Sequence, residues 1–76
     1  MDTEKRLNTL SVGECGRVKE LRTKGSMRRR FLDVGISPET VISCVGKSPL
    51  GDPAAYLVRG SMIAIRDADA YGIILE

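Results

Sequence analysis

Three consecutive arginines, Arg28-Arg29-Arg30, form the densest cluster of chemically capable side chains in the sequence. The planar guanidinium group pairs well with carboxylates and phosphates, so the cluster predicts a docking surface for an acidic protein or a nucleic acid. Lys24, Arg22 and Lys19 extend the positive charge along the preceding segment. The alternative interpretation is a solvated helix face, in which the stem of Arg30 covers the edge of the core.

Charge is unevenly distributed along the chain. Residues 1–30 contain nine Lys or Arg and four Asp or Glu, a net charge of +5, whereas residues 31–76 carry a net charge of −3. Barrels that bind nucleic acid normally add exposed aromatic side chains on which bases stack. Only Phe31, Tyr56 and Tyr71 are aromatic, and Phe31 is assigned to the core. We therefore expect the basic half to meet a protein partner, and no nucleic acid.

Two cysteines and three aspartates are the remaining candidates for metal binding or catalysis. Cys15 and Cys44 lack a C-x-x-C pairing, and the chain has no histidine to complete a tetrahedral site. We interpret both as reduced, small apolar side chains. Asp52, Asp67 and Asp69 form no calcium-loop pattern and are interpreted as turn and helix-start residues. Since no base accompanies a serine and no phosphate-binding glycine loop occurs, the sequence predicts neither an enzyme nor a metal site.

The elements that must position these side chains are mostly strands. Regularly spaced glycines separate short β-branched and aliphatic runs, a pattern typical of an all-β barrel or sandwich. The second run is apolar on both faces, which predicts a central strand, and Gly60-Ser61 predicts a two-residue hairpin turn. The acidic start of residues 67–70 suits a helical turn. Strands are expected at residues 16–22, 40–45, 55–59, 62–66 and 72–76.

One segment has helical periodicity. Residues 26–34 begin with an expected N-cap, Ser26, and are followed by a C-cap glycine, Gly35. A helix of about two turns is not stable alone in water, so it must dock on the sheet. Its apolar residues recur at helical spacing and predict a stripe that faces the core. That stripe consists of Met27, Phe31 and Val34.

The length of 76 residues corresponds to one small domain, residues 1–76, with a thin core and no deep substrate cleft. No apolar run approaches the roughly 18 residues of a membrane helix, and the first residues lack an apolar leader. We therefore expect a cytoplasmic, monomeric protein without membrane insertion.

Four motifs, in order along the chain, resemble the FeoA family of small cytosolic proteins associated with ferrous iron uptake. Residues 7–18 contain the spaced leucines, glycines and valine that many members share near their start. Residues 29–38, RRFLDVGISP, resemble the family signature R-R-L-L-D-L-G-L-x-P. Residues 49–53 match its P-x-G-D-P loop, and residues 63–66 match its L-A-L-R strand. The resemblance covers nearly the whole chain.

The resemblance implies a mainly β fold: a small SH3-like β-barrel of about five strands with one short helix, related to the C-terminal domain of iron-dependent repressors. It also implies a role beside FeoB, the membrane ferrous iron transporter with a cytosolic GTPase domain. We expect a non-enzymatic adaptor or regulator that docks on the cytosolic part of that transporter. The expected partner-binding residues are Arg28, Arg29, Arg30 and Lys24 in the basic segment and Pro49, Gly51, Asp52 and Pro53 in the loop.

Family membership carries an association with transition metal ions, but no ligand motif can be transferred to this chain. We expect no cofactor, with Fe²⁺ or another divalent transition metal as the alternative. Two other functions also stay open. One is a free-standing SH3-like module, related to metal-dependent repressors, that binds a peptide or a transcription factor. The other is a basic nucleic-acid-binding barrel.

One position departs from the family pattern. Glu39 stands where the family usually has glycine. If the backbone there needs a positive φ, a glutamate costs on the order of 1 kcal/mol.

Overall fold

The computed structural model describes residues 4–76. Within these residues, short strands make up most of the regular structure, and the helical segments between them are also short. The strands are β1 (Lys5–Arg6), β2 (Cys15–Leu21), β3 (Val41–Lys47), β4 (Ala54–Val58), β5 (Ser61–Ile65) and β6 (Ile73–Leu75). The helical segments are α1 (Gly25–Asp33), α2 (Asp67–Ala70) and a 3-10 turn at Leu7–Thr9.

All six strands belong to one antiparallel sheet with the order β1-β6-β2-β3-β4-β5. The predicted mainly β fold is confirmed, and the five predicted strands correspond to β2 through β6. The additional strand is β1, whose two residues pair with β6. Two residues are too few to show the alternation by which a strand is predicted from sequence. β1 is recognised only by its pairing with β6.

The core lies on the inner face of this sheet. On the central strand β3, Ile42 and Cys44 are buried, whereas Val41 and Val45 are exposed. The predicted central position of this strand is confirmed, since β3 lies between β2 and β4, although only one of its two apolar faces is buried. Within residues 4–76, no helix combines the length and apolarity needed to cross a membrane.

Helix α1 starts one residue earlier than expected. Lys24 is the N-cap residue, and no side chain caps the helix, so Ser26 is not the N-cap. Gly25, with a φ of +64°, makes the turn from the extended chain into the helix and leaves Ser26 inside the first turn.

The end of α1 follows the expected pattern. Gly35 has a φ of +99°, and its N–H donates to the carbonyl of Leu32 at 3.1 Å. The N–H of Ile36 reaches back to the carbonyl of Phe31 at 2.9 Å, which completes a Schellman motif. Because the helix stops there, Val34 is 37% exposed and lies outside the core cluster, which contains the fully buried Ile36 instead.

The β4–β5 hairpin turns at a different dipeptide from the one expected. Val58 pairs with Ser61, so the two turn residues are Arg59 and Gly60. Their φ angles of 49° and 84° are both positive, as a type I′ turn requires. Ser61 is therefore the first residue of β5 and not part of the turn.

Candidate partner-binding groove

A groove with a volume of about 440 Å³ runs between helix α1 and strand β5. It lies against the surface rather than inside the core. A volume of several hundred cubic ångströms is typical of binding sites. The residues that line it are Met27, Arg30, Phe31, Pro53, Ala64, Ile65, Arg66 and Asp69.

The apolar part of the groove follows from the helical stripe. Phe31 is 4% exposed and packs in the core, and Met27, one turn earlier, is half-buried against that core. On the opposite wall, the buried Ile65 comes from the end of β5. Since these side chains complete the core and still line the groove, the groove has an apolar base that does not depend on any loop.

The charged part of the groove combines residues from two distant segments. Arg30 lies in the last turn of α1, and Arg66 is the N-cap residue of α2. Both are exposed. Asp69 is held close to Arg66, because its N–H donates to the Arg66 carbonyl at 3.0 Å. Two guanidinium groups and one carboxylate leave this part of the groove with a net positive charge.

The groove continues toward the end of the helix. A second concavity of about 230 Å³ shares Arg30, Phe31, Ala64 and Ile65 with the first. Val34 and Ile63 line its far side. The two concavities therefore adjoin and share the wall that the end of α1 and the end of β5 form.

The structure brings together some of the sequence-predicted binding residues and separates others. Arg30 and Pro53 line the same groove, although 23 positions separate them in the sequence. Arg28 turns elsewhere, because one of its guanidinium nitrogens donates to the backbone carbonyl of Leu21 at 3.0 Å. Arg29 and Lys24 are exposed and do not line the groove.

The predicted loop has a well-defined conformation. The N–H of Gly51 donates to the carbonyl of Ser48 at 2.7 Å, and the N–H of Ser48 donates to the carbonyl of Pro53 at 3.1 Å. Asp52 accepts a hydrogen bond from the backbone N–H of Asp67 at 2.9 Å, so the loop is attached to the start of α2. Pro49, Gly51 and Asp52 are exposed but lie outside the groove, which leaves Pro53 as the loop residue that contributes to it.

Sequence reasoning missed Arg66 and Asp69. Little in the sequence indicated a binding role for either residue, because each fits a structural role at α2: Arg66 precedes the helix and Asp69 lies in its first turn. Their place in the groove depends on β5 lying next to α1, which no local pattern reveals. Met27 was identified only as a core residue.

No metal site is apparent in the part of the chain that the structure describes, where no group of three or more Cys, Asp or Glu side chains is placed to hold an ion. Cys44 is buried and Cys15 is exposed, and both are free. The expectation of a chain without a cofactor stays a prediction. Asp67 instead accepts a hydrogen bond from the side-chain amide nitrogen of Asn8 at 3.3 Å.

The FeoA domain model matches residues 5–76 of the chain. This protein belongs to the FeoA family. Among curated protein sequences, no significant match to the chain was found.

Solved FeoA structures resemble the chain over nearly its whole length. The FeoA-like protein of Clostridium acetobutylicum is 32% identical with a TM-score of 0.86, and the alignment covers 100% of this chain and 88% of that one. Iron(II) transport protein A of Clostridium thermocellum is 29% identical with a TM-score of 0.89, over 95% of this chain. This chain spans only 44% of that clostridial protein.

The SH3-like character of the fold is supported by more distant structures. The zinc complex of Stenotrophomonas maltophilia FeoA, described as a procaryotic SH3 domain protein, is 20% identical with a TM-score of 0.84, over 95% of this chain and 89% of that one. A manganese-dependent transcriptional repressor is 16% identical with a TM-score of 0.83, over 99% of this chain and 42% of that one. The expected relation to metal-dependent repressors is thus confirmed at the level of the fold.

Proposed function

We propose that this protein is a non-enzymatic accessory protein of ferrous iron transport that docks, through the α1–β5 groove, on the cytosolic part of a FeoB-type transporter. The observation that carries the proposal is the meeting of two family motifs in one groove. Arg30, from the R-R-F-L-D-V-G segment, and Pro53, from the P-x-G-D-P loop, line it together. Membership of the FeoA family and the iron(II) transport name of a clostridial relative support the biological setting.

The chemistry of the groove suits a partner surface with apolar and acidic residues. Phe31, Met27 and Ile65 offer apolar area, and Arg30 and Arg66 offer guanidinium groups at its border. The exposed Arg29 and Lys24 add positive charge on the same helix and its N-cap. Complementary charge of this kind mainly raises the rate of encounter and selects the partner.

A double charge reversal at the groove tests the proposal. Arg30→Glu with Arg66→Glu should weaken binding to the isolated cytosolic domain of the transporter by at least about tenfold, because like charges across an interface are costly. The matched control is Arg17→Glu with Lys19→Glu, two exposed residues of β2 outside the groove, with the same change in net charge. Binding titrations at low and high salt separate long-range electrostatic attraction, which salt screens, from direct contacts in the groove, which it screens much less.

The result that contradicts the proposal is equal weakening by both double variants, or weakening by neither. Equal weakening would mean that only the overall charge matters. No weakening would place the docking surface elsewhere, and the exposed Pro49–Asp52 part of the loop would be the next region to vary.

The nucleic-acid alternative receives little support from the aromatic side chains. Phe31 and Tyr56 are buried, and Tyr71 is the exposed aromatic residue. A single exposed ring does not form a stacking platform for successive bases. Retention on nonspecific DNA at low salt, lost steeply as salt rises, would revive that alternative.

A further inference from the structure

The two edges of the sheet differ in how they are protected. Edge strands offer unpaired backbone groups to other chains, and proteins usually shorten them, charge them, bulge them or insert proline. The β1 edge is two residues long and consists of Lys5 and Arg6. The β5 edge, Ser61–Ile65, has five residues with no charge and no proline, and its register with β4 is continuous.

Alternation along the hairpin determines which backbone groups of β5 are open. Residues that flank a two-residue hairpin turn form a hydrogen-bonded pair, and such pairs alternate with non-bonded ones. Ser61, Ile63 and Ile65 therefore direct their N–H and C=O groups toward β4. Met62 and Ala64 direct theirs away from the sheet, toward the open edge.

The groove lies directly beside this open edge. Ala64 lines both of its concavities. The inward side chains of β5, Ile63 and Ile65, stand next to Phe31 at its base. A strand added to β5 would place its own inward side chains beside these residues, so the backbone edge and the apolar pocket would be occupied by the same segment.

The charges beside the edge select the kind of segment. Arg30 and Arg66 flank the groove, with Asp69 as the opposing charge. The border of the groove therefore carries a net positive charge, which a second copy of the same edge does not neutralise. A segment with acidic side chains would instead pair with the two guanidinium groups.

We propose that β5 takes up an extended segment of the partner as a seventh strand, with alternate aliphatic side chains in the groove and carboxylates on Arg30 and Arg66. This is strand addition, in which main-chain hydrogen bonds give affinity and side-chain pockets give specificity. The inference rests on the proposed function for the identity of the partner, while its chemistry can be tested without that partner.

The first experiment uses the 76-residue chain and a synthetic eight-residue peptide with blocked termini, in which valines alternate with threonines and a glutamate stands at each end. Binding should slow amide hydrogen exchange at Met62 and Ala64 and leave Ile63, already paired with β4, nearly unchanged. Two control peptides isolate the causes. Replacing each glutamate with lysine should abolish binding, and N-methylation of alternate backbone nitrogens on the edge-facing side should weaken it by about tenfold, because it removes main-chain donors.

The second experiment changes the protein. Ala64→Pro removes an N–H that faces the open edge, where proline is tolerated in a sheet. Peptide affinity should fall by about tenfold or more, since a main-chain hydrogen bond is lost and the added strand is pushed away. Ala64→Ser is the matched control, because it changes the side chain but keeps the N–H, and it should bind as the unchanged protein does.

The outcomes separate this inference from the proposed function. If the transporter domain binds equally well to the protein with Ala64→Pro and the N-methylated peptide binds like its parent, strand addition is overturned while docking stands. If the peptide binds with the expected exchange pattern and the transporter domain does not bind, the proposed function fails and the strand-addition chemistry stands. Self-association that Ala64→Pro abolishes would assign the edge to a second copy and overturn the inference. The N-methylated peptide keeps the test decisive even if Ala64→Pro fails to fold.

Discussion

The Nε atom of Arg59 donates a hydrogen bond to the backbone carbonyl of Gly35 at 2.9 Å, which ties the tip of the β4–β5 hairpin to the end of helix α1. A terminal nitrogen of the same guanidinium group also donates to Oγ1 of the buried Thr40 at 3.3 Å. α1 and β5 form the two walls of the groove. This contact therefore fixes the position of one wall relative to the other at one end of the groove.

Removing that contact should loosen the groove. Arg59→Met keeps the aliphatic stem and loses the hydrogen bonds, so we expect a loss of about 1–2 kcal/mol in the free energy of unfolding. Arg17→Met, on the exposed side of β2, should change it by less than about 0.5 kcal/mol. Urea denaturation of both variants measures the difference, and equal midpoints would mean that the Arg59 contacts add nothing to stability.

The turn that follows α1 contains a strained residue. Glu39 has a φ of 77°, so the backbone at this position, where the family usually has glycine, does adopt a positive φ. Its N–H donates to the carbonyl of Val18 at 2.7 Å, and the N–H of Thr40 donates to the carbonyl of Ser37 at 3.0 Å, so the conformation is held in place.

Glu39→Gly should therefore raise the free energy of unfolding by up to about 1 kcal/mol, since glycine adopts a positive φ without the clash of a Cβ atom. Glu39→Ala keeps the Cβ atom and should give little or no gain. Both would be compared by their midpoints in urea. Equal stabilisation by the two variants would show that the glutamate side chain, and not the backbone, is responsible.

Phe31 should anchor the helix and, with it, one wall of the groove. Truncation of a buried phenylalanine costs about 3–5 kcal/mol, so Phe31→Ala should remove much of the roughly 5–15 kcal/mol that stabilises a typical domain. Leu32→Ala, one residue further on but exposed, should cost far less. Circular dichroism melts of the two variants test this, and similar melting temperatures would contradict the packing of the helix.

Strand positions and the mainly β class could be predicted because they depend on local alternation and on turn residues, whereas the SH3-like barrel followed only from the family resemblance. What escaped prediction depends on pairing between distant segments. β1 exists because Lys5 pairs with Leu75, at the other end of the chain. Likewise, Arg30 and Pro53 were each expected to bind a partner, but their meeting in one groove follows from β5 being an edge strand beside α1.

Stability should not depend on a metal ion. Within residues 4–76, no three Cys, Asp or Glu side chains are close enough to hold an ion. One of the two cysteines is buried and the other is exposed. Thermal melts with and without a strong chelator should coincide. A fall of more than a few degrees would show that a bound ion contributes to folding, as it does in structural metal sites.

Tyr56 should make the protein sensitive to alkaline pH. Its side chain is almost completely inaccessible in β4, and burial, together with the nearby Cys44 and the carboxylates of Asp67 and Asp52, raises its pKa from 10 to about 12. Because the folded state holds this proton more tightly than the unfolded state, the contribution to stability is fully present below pH 10. It is lost as the pH rises from about 10 to about 12.

The measurement is the free energy of unfolding from urea titrations at several pH values across that window. Tyr56→Phe removes the ionisable hydroxyl, so the free energy of unfolding should fall less between about pH 10 and pH 12 than in the unchanged protein. Phenylalanine fills nearly the same volume, so the packing of the core is kept. Tyr71→Phe removes an exposed phenol instead and should retain the decline of the unchanged protein. If Tyr56→Phe and Tyr71→Phe gave the same pH profile, burial of Tyr56 would not be the cause of alkaline destabilisation.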